Sequence, residues 1–346
     1  MTEKKKVLLI GNIGLYKKVE PNGVNVKNRH IIKYLKGVEG ISLKIIDSYN
    51  WKKRFIQLVF NILVAVFQSE RIIVSVNSRS AYRLFGFLSL FNLSDRAIYM
   101  VVGGSLPAQI REQGFKIKYY KRIKKIFVQT SGMKKELNNM GLSNVEQLVN
   151  SKYFKRGSDR KNCFVNDPVR TFYLGRIHPE KGLDMLFEAL KIVNKEKISY
   201  NLDFYGPVEK DYEDSFKRSV EKYNFANYCG IIDLTRDDAY NRLSSYDLFI
   251  FPTCWPGEGF PGVFIDAFIS GVAILASDWN HNPEFIDNEE NGLLFKTKDK
   301  GDLIAKLKYL YSNKKLIKRM KINSYNSADK YHSSEVLKVL RDEIFD

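Results

Sequence analysis

Residues 170–190 read RTFYLGRIHPEKGLDMLFEAL, and the order of residue types in this stretch decides the fold. Arg170 to Leu174 is a short apolar run that ends at Gly175, which reads as a strand. Leu183, Leu186, Phe187 and Leu190 then recur at helical spacing. Between the two lies a turn bracketed by Arg176 and Lys181. Unsatisfied N–H groups at a helix start, the positive end of the helix dipole and two cations together make a strong binding place for a diphosphate. A basic pair near a helix start also occurs as plain surface decoration, so the pair alone does not decide between the two.

The same plan extends in both directions. Upstream, strands are expected at Lys6 to Ile10, Leu43 to Ile46, Arg71 to Val76, Ala97 to Val102 and Lys125 to Gln129. Helical stretches separate them at 24–35, 52–68, 80–91 and 115–124. Downstream, strands are expected at Tyr200 to Tyr205, Leu248 to Phe251 and Ala273 to Ala276, with helices at 182–193, 211–223, 236–244, 261–270 and 301–311. Alternating strands and helices imply parallel, doubly wound sheets. A chain of 346 residues is long enough for two such domains. The expected division is 1–165 and 166–329, with a last helix at about 330–346 packing back on the first domain.

Composition narrows the function classes. Hydrophobic residues are 44% and charged residues 27% of the chain, which fits a globular protein and excludes a disordered or fibrous one. Cys163, Cys229 and Cys254 are widely spaced and form neither a disulfide framework nor a C-x-x-C pair. Val7 to Ile10 is too short for a signal peptide's apolar region, and Phe55 to Phe67 is too short to span a bilayer. A cytoplasmic protein, soluble or lying on a surface, is expected. Charge is unevenly placed. Residues 1–165 hold 31 Lys/Arg against 10 Asp/Glu, a net +21, while residues 166–346 hold 25 against 29, a net −4. The first half is suited to an anionic partner.

Ligands of open α/β sheets sit beyond the carboxyl ends of the strands. Gly11-Asn12-Ile13-Gly14 is not a G-x-G-x-x-G and lacks the later acid of a dinucleotide site, which leaves a nicotinamide dehydrogenase a weak alternative. The strand Leu248 to Phe251 runs instead into Pro252-Thr253-Cys254-Trp255-Pro256-Gly257-Glu258-Gly259-Phe260-Pro261-Gly262. So dense a turn lets backbone N–H groups approach a ligand, while Glu258 can accept hydrogen bonds from sugar hydroxyls. Asp266, about two turns further, is placed to meet vicinal hydroxyls.

These segments together resemble the retaining glycosyltransferases of family 4, which have the GT-B fold of two facing Rossmann-like domains. The resemblance covers most of the chain. It rests on Gly175-Arg176 to Lys181-Gly182, Tyr205-Gly206-Pro207, Tyr246-Asp247, Gly257-Glu258-Gly259-Phe260 to Asp266-Ala267, Gly271 to Ala276 and Asn291 to Phe295. Asn22-Gly23 and Leu148-Val149-Asn150 resemble weaker family signals. The resemblance implies that Arg176 and Lys181 hold the donor diphosphate and stabilise leaving-group charge, the role a metal plays in other transferases. No metal or other cofactor is then needed, the nucleotide sugar being a substrate. Glu258 would contact the donor sugar, and Gly259, Phe260, Pro261, Gly262 and Val263 would approach the donor through their backbone. Gly175 and Gly206 would line the same site, Gly23 would match the family's glycine that lets the first domain close over the phosphates, and Asp266 would hold the ribose hydroxyls although it is one methylene shorter than the usual Glu.

One departure bears on mechanism. Where many relatives have a histidine after the fourth strand, this chain reads Val101-Val102-Gly103-Gly104-Ser105. Gly103, Gly104 and Ser105 are candidate contacts to acceptor or sugar. The histidines are His30, His178, His281 and His332. His178 lies inside the phosphate motif. Family retention is thought to use no protein nucleophile, the leaving diphosphate helping to deprotonate the incoming hydroxyl on the same face.

The basic first half has two helical stretches of interest. Residues 115–127 place Ile117, Tyr120 and Ile123 on one stripe flanked by Lys118, Lys121, Arg122 and Lys125, a basic amphipathic pattern suited to an anionic inner leaflet. Residues 52–68 begin Lys-Lys-Arg and are apolar nearly all round. Either stretch can also be an ordinary helix packed on its sheet. No nucleic-acid signature is present. The expected protein is a cytoplasmic-face glycosyltransferase, peripheral on the membrane, acting on a glycan such as a lipid-linked oligosaccharide of a surface polysaccharide. A GT-B epimerase or a catalytically silent partner protein is the alternative.

Overall fold

The computed structural model describes residues 3–15, 23–155, 163–234 and 236–346. They form two compact units. The first comprises Met1–Tyr153, Gly257–Phe260 and Tyr331–Asp346, and the second Phe154–Pro256 and Pro261–Lys330. The first unit thus ends short of residue 165, and four residues of the glycine-rich turn belong to it.

The first unit carries the strands β1 (Lys5–Gly11), β2 (Ile41–Asp47), β3 (Arg71–Ser75), β4 (Ala97–Met100), β5 (Lys125–Val128) and β6 (Val145–Gln147), in the order β2-β1-β3-β4-β5-β6. Its helices are α1 (Gly23–Lys36), α2 (Phe55–Gln68), α3 (Ser78–Leu90), α4 (Leu106–Glu112), α5 (Ile117–Lys121) and α6 (Ser131–Asn139). Neighbouring strands run parallel, which requires a crossover between each pair, and the helices supply it. The alternation of β1 shows how both faces are filled. Leu8 and Ile10 join a core with Ala65 and Val66 of α2 and Phe85 of α3, whereas Val7 and Leu9 join one with Ile31, Ile32 and Leu35 of α1.

The second unit carries β7 (Val169–Leu174), β8 (Tyr200–Tyr205), β9 (Ala226–Tyr228), β10 (Leu248–Phe251), β11 (Ala273–Ser277) and β12 (Gly292–Phe295), in the order β12-β11-β10-β7-β8-β9. Its helices are α7 (Leu183–Val193), α8 (Glu213–Lys222), α9 (Asp237–Leu243), α10 (Gly262–Ser270), α11 (Lys300–Ser312) and α12 (Lys314–Ser327). The chain then returns to the first unit as α13 (Ser333–Val336) and α14 (Lys338–Phe345), whose Leu340 and Ile344 complete the α1 side of that core. Two six-stranded parallel sheets, each wound on both faces, are the Rossmann-like pair expected from the alternation.

The stretch 115–124 is not one amphipathic helix. Only Ile117–Lys121 is helical, because Asn144 donates its side-chain amide to the carbonyls of Tyr120 at 2.9 Å and Ile123 at 2.6 Å and so ends the helix there. Lys118, Lys121 and Arg122 are exposed, but Lys125 is not available to a membrane. Its ammonium lies 2.6 Å from Glu343 and 3.1 Å from Glu146, partners that raise its pKa against the opposing effect of burial.

Candidate functional site

The order of the second sheet reverses beside β7: β8 follows on one side and β10 lies on the other. A reversal of this kind leaves a crevice at the carboxyl ends of the strands. The two turns that meet there are those singled out by the sequence.

From β7 the chain passes through Gly175 at φ 146° and a short 3-10 turn, Pro179–Lys181, to Gly182 at φ 72°, where α7 begins. Gly182 has no alternative, since a Cβ there would stand 2.1 Å from the carbonyl oxygen of Pro252. Cys254 donates its N–H to the carbonyl of Glu180 at 2.9 Å and so stitches the turn after β10 onto the turn after β7. Gly206, which follows β8 at φ 139°, is equally constrained: its Cβ would lie 1.9 Å from the carbonyl oxygen of Gly175. The turn after β10 is fixed from its other side as well. Ser277 donates to the Thr253 carbonyl at 2.6 Å and Trp279 Nε1 to the Trp255 carbonyl at 2.7 Å.

Arg176 and Lys181 therefore project from a backbone that the second unit holds rigidly. Arg176 is exposed. The ammonium of Lys181 lies 5.5 Å from the ring centroid of Phe251 and 5.9 Å from that of Trp255, a cation–π setting that orients it. His178 does not stand free among these cations. Its Nδ1 accepts the N–H of Glu180 at 3.1 Å, its Nε2 lies 3.2 Å from Glu209, and its ring meets Trp255 edge-on at 5.3 Å. It shapes the turn. Tyr173 does likewise, donating its hydroxyl to the Arg176 carbonyl at 2.8 Å.

Pro261, Gly262 and Val263 form the start of α10, where Phe264 donates its N–H to the Pro261 carbonyl at 3.0 Å and no side chain of Pro261 caps the helix. Asp266 sits one turn in from that start rather than two, and it is buried. Its Oδ1 accepts the hydroxyl of Tyr240 on α9 at 2.9 Å, and burial with the adjacent carboxylate pushes the Tyr240 phenol well above its ordinary pKa, so that it remains a donor. Asp266, the expected ribose contact, is thus a buried carboxylate tied to a tyrosine that the sequence reading did not single out.

Glu258, Gly259 and Phe260 lie in the first unit, and what they meet there revises the reading of Gly103 and Gly104. Gly104 donates its N–H to the Gly257 carbonyl at 3.3 Å, and a Cβ on it would stand 2.7 Å from the Glu258 carbonyl oxygen. Gly103 has φ 74°. The two glycines make room for the chain's own backbone. Gln129 accepts the N–H of Phe260 at 3.2 Å and donates to Asn150 at 3.1 Å, while Asn150 donates to the Phe260 carbonyl at 2.8 Å. Ser105 stands just before α4. Gly23 is the first residue of α1, and among the described residues nothing beyond its chain neighbours and its own helix backbone lies within 4 Å of a Cβ built there; Asn22 lies outside the described residues.

Sequence reading missed Lys27. It lies in the second turn of α1 and donates its ammonium to the Val101 carbonyl at 3.0 Å, beside the Gly103 loop. Burial brings its pKa down to about 8. A lysine four residues after the helix's first glycine was the available signal. Asn28 fixes the crevice of this unit, where the strand order reverses beside β1, by donating to the carbonyls of Asn12 at 3.0 Å and Ser75 at 3.1 Å. Among the described residues no three of His, Cys, Asp and Glu are grouped to share a metal ion.

The other histidines have local roles. His281 pairs with Glu284 at 3.0 Å and His332 with the Ser334 hydroxyl at 2.7 Å. His30 has a pH consequence. Burial, then Lys152 and Lys33, lower its pKa to about 4. The folded chain therefore keeps it neutral, while the unfolded chain takes up a proton below about 6.5. Stability from this group is complete above that value and is lost as pH falls from about 6.5 toward 4. Urea denaturation at pH 7 and pH 4.5 should show a larger loss for the wild type than for His30→Gln, and equal losses would refute the assignment.

Comparison with known proteins agrees with this architecture. The family described as glycosyl transferases group 1 matches residues 155–327. An N,N'-diacetylbacillosaminyl-diphospho-undecaprenol alpha-1,3-N-acetylgalactosaminyltransferase of Campylobacter jejuni is 34% identical over 173 residues, 49% of this chain and 43% of the relative. The capsular polysaccharide biosynthesis glycosyltransferase CapM of Staphylococcus aureus is 23% identical over 191 residues, 55% of this chain and 48% of the relative. The chain thus spans less than half the length of these two curated relatives. Among solved structures, that of Anabaena HepE in complex with UDP and glucose superposes with a TM-score of 0.72 at 13% identity, covering 99% of each chain. At this identity the likeness shows the fold, which is GT-B.

Proposed function

Because the chain belongs to the glycosyl transferases group 1, we propose that it moves a sugar from a UDP-sugar to a glycan hydroxyl, with retention at the anomeric carbon and without a metal ion. The observation that carries this reading is the stitched pair of turns at the reversal of the second sheet. There Gly182 abuts Pro252, Cys254 is bonded to Glu180, and Arg176 and Lys181 project from the resulting rigid backbone. Pyrophosphate oxygens would meet these two cations and the N–H groups at the start of α7. As the bond from the anomeric carbon to the diphosphate breaks, negative charge grows on the leaving oxygen, and the preorganised cations stabilise it. The acceptor oxygen bonds to the same face of the sugar and its proton passes to the diphosphate. In this scheme Glu258 contacts the donor sugar and Asp266, bonded to the Tyr240 hydroxyl, holds the ribose hydroxyls.

The acceptor we propose is a polyprenyl-diphosphate-linked oligosaccharide of a surface polysaccharide, met at the inner face of the cell membrane. The diphospho-undecaprenol substrate in the Campylobacter relative's name and the capsular role in that of CapM support it. So does the first-half charge, of which Lys118, Lys121 and Arg122 remain exposed. The test is incubation of the purified protein with a panel of labelled nucleotide sugars, with and without a lipid-linked acceptor. Transfer, or slow hydrolysis without acceptor, is expected with a UDP-sugar; an epimerised sugar nucleotide or no turnover of any donor would overturn the reading. Activity should also persist in excess chelator. Complete loss, restored by Mn²⁺ or Mg²⁺, would contradict the role given to Arg176 and Lys181.

A further inference from the structure

Helix α2 is apolar on two opposite sides. Leu58, Ile62, Ala65 and Val66 face the core of the first unit. Ile56, Phe60, Leu63 and Phe67 recur at i, i+4, i+7 and i+11, a single stripe on the side away from that core, and Gln57, Asn61 and Gln68 form the narrow polar line along one border between the two. Among the described residues nothing covers the outer stripe: Ile56 is 84% exposed, Phe60 65% and Phe67 53%. It continues onto the end of α3, since Phe67 meets Phe91 edge-on at 5.3 Å and Leu90 beside it is 81% exposed. Trp51 and Phe55, both exposed, extend it at the other end. A contiguous apolar face of this kind on a soluble surface marks an interaction site.

Its border says what covers it. Lys52, Lys53 and Arg54 precede the stripe and are exposed, and Arg122 donates to Ser89 at 2.9 Å, immediately beside Leu90. Residues 48–94 contain six Lys/Arg and a single acid, Glu70, which accepts the N–H of Lys6. A second copy of the chain would set this basic border against its own kind. Anionic lipid headgroups satisfy it while acyl chains take the aromatic and aliphatic side chains. We propose that the outer face of α2, together with Leu90 and Phe91, inserts into the headgroup boundary of an anionic bilayer, with Lys52, Lys53, Arg54 and Arg122 at the phosphate level. The inference rests on the membrane-side acceptor proposed above and gives it a surface: apolar insertion by α2, assisted by charge.

Flotation with phosphatidylglycerol/phosphatidylcholine vesicles tests it. Wild-type protein should bind strongly at low salt and retain part of its binding at high salt, because apolar insertion is not screened. Ile56→Ser/Phe60→Ser and Leu90→Ser should each reduce vesicle affinity by about tenfold or more with thermal unfolding unchanged, as these side chains make little contact with the core. Lys118→Ser/Lys121→Ser should weaken low-salt binding only. Wild-type affinity in the Ile56/Phe60 variant, with loss in the lysine variant, would overturn the α2 surface and leave the membrane-side reading standing. Absence of wild-type binding at any salt would overturn both. A wild-type dimer that binds no vesicles and is dissociated by Ile56→Ser would assign the face to a second copy instead.

Discussion

Arg176→Ala and Lys181→Ala are each expected to lower turnover by about 100-fold or more, the loss seen when one preorganised donor to a developing anion is removed. The expectation follows from how the two side chains are carried. Their backbone cannot relax toward a displaced ligand, because Gly182 is wedged against Pro252 and Gly206 against Gly175. Lys181 is further oriented by the rings of Phe251 and Trp255. Neither side chain lies in the core, so both variants should unfold at the wild-type temperature. The effect should fall on kcat more than on KM if the cations act on leaving-group charge rather than on ground-state binding. Lys181→Arg should recover only part of the loss, since a planar guanidinium does not present its charge at the same point. Steady-state kinetics of the folded variants decide the matter, and near-normal kcat in both would remove the diphosphate from this turn.

How much of this was legible in the sequence depended on where a residue's partners lie along the chain. Strands buried on both faces, such as Leu248–Phe251, read directly as apolar runs with the observed bounds. β6, β9 and β12 were not anticipated. Each is an edge strand of three or four residues, too short to show a period. Among site residues, the turn from Gly175 to Gly182 was legible because strand, cations and helix are adjacent in sequence. The partners of the second turn were not. Gln129 reaches Phe260 across 131 positions, and Tyr240 reaches Asp266 from a different helix. The glycine pair Gly103 and Gly104 was read as a candidate contact to sugar or acceptor, and nothing local could tell that the atoms beside it belong to Gly257 and Glu258. The outer face of α2 was visible as an excess of apolar residues, but only the packing of Ala65 and Val66 shows which side was left over.

The largest loss of stability is expected from a pair remote from the turns. Asp247, fully buried at the start of β10, is held by Lys321 of α12 at 2.8 Å, with side-chain exposures of 0% and 5%. The carboxylate is saturated. Its other oxygen accepts the N–H of Asn166 at 3.1 Å, the Asn166 side-chain amide at 2.8 Å and the N–H of Arg170 at 3.0 Å, while Lys321 also donates to the Phe164 carbonyl at 3.1 Å. One side chain thus ties β7, β10, α12 and the segment entering the second unit. Lys321→Met keeps length and packing but leaves a buried carboxylate without its counter-charge, a change that costs about 3–5 kcal/mol. Asp247→Asn leaves the ammonium buried and should cost a similar amount. The double variant Asp247→Asn/Lys321→Met removes both charges and should be more stable than either single variant, since the uncompensated charge is the main penalty. Urea denaturation followed by tryptophan fluorescence reads the second unit through Trp255 and Trp279, which both belong to it. A loss below about 1 kcal/mol in Lys321→Met, the size of an exposed pair, would show that the ion pair does not hold these elements together.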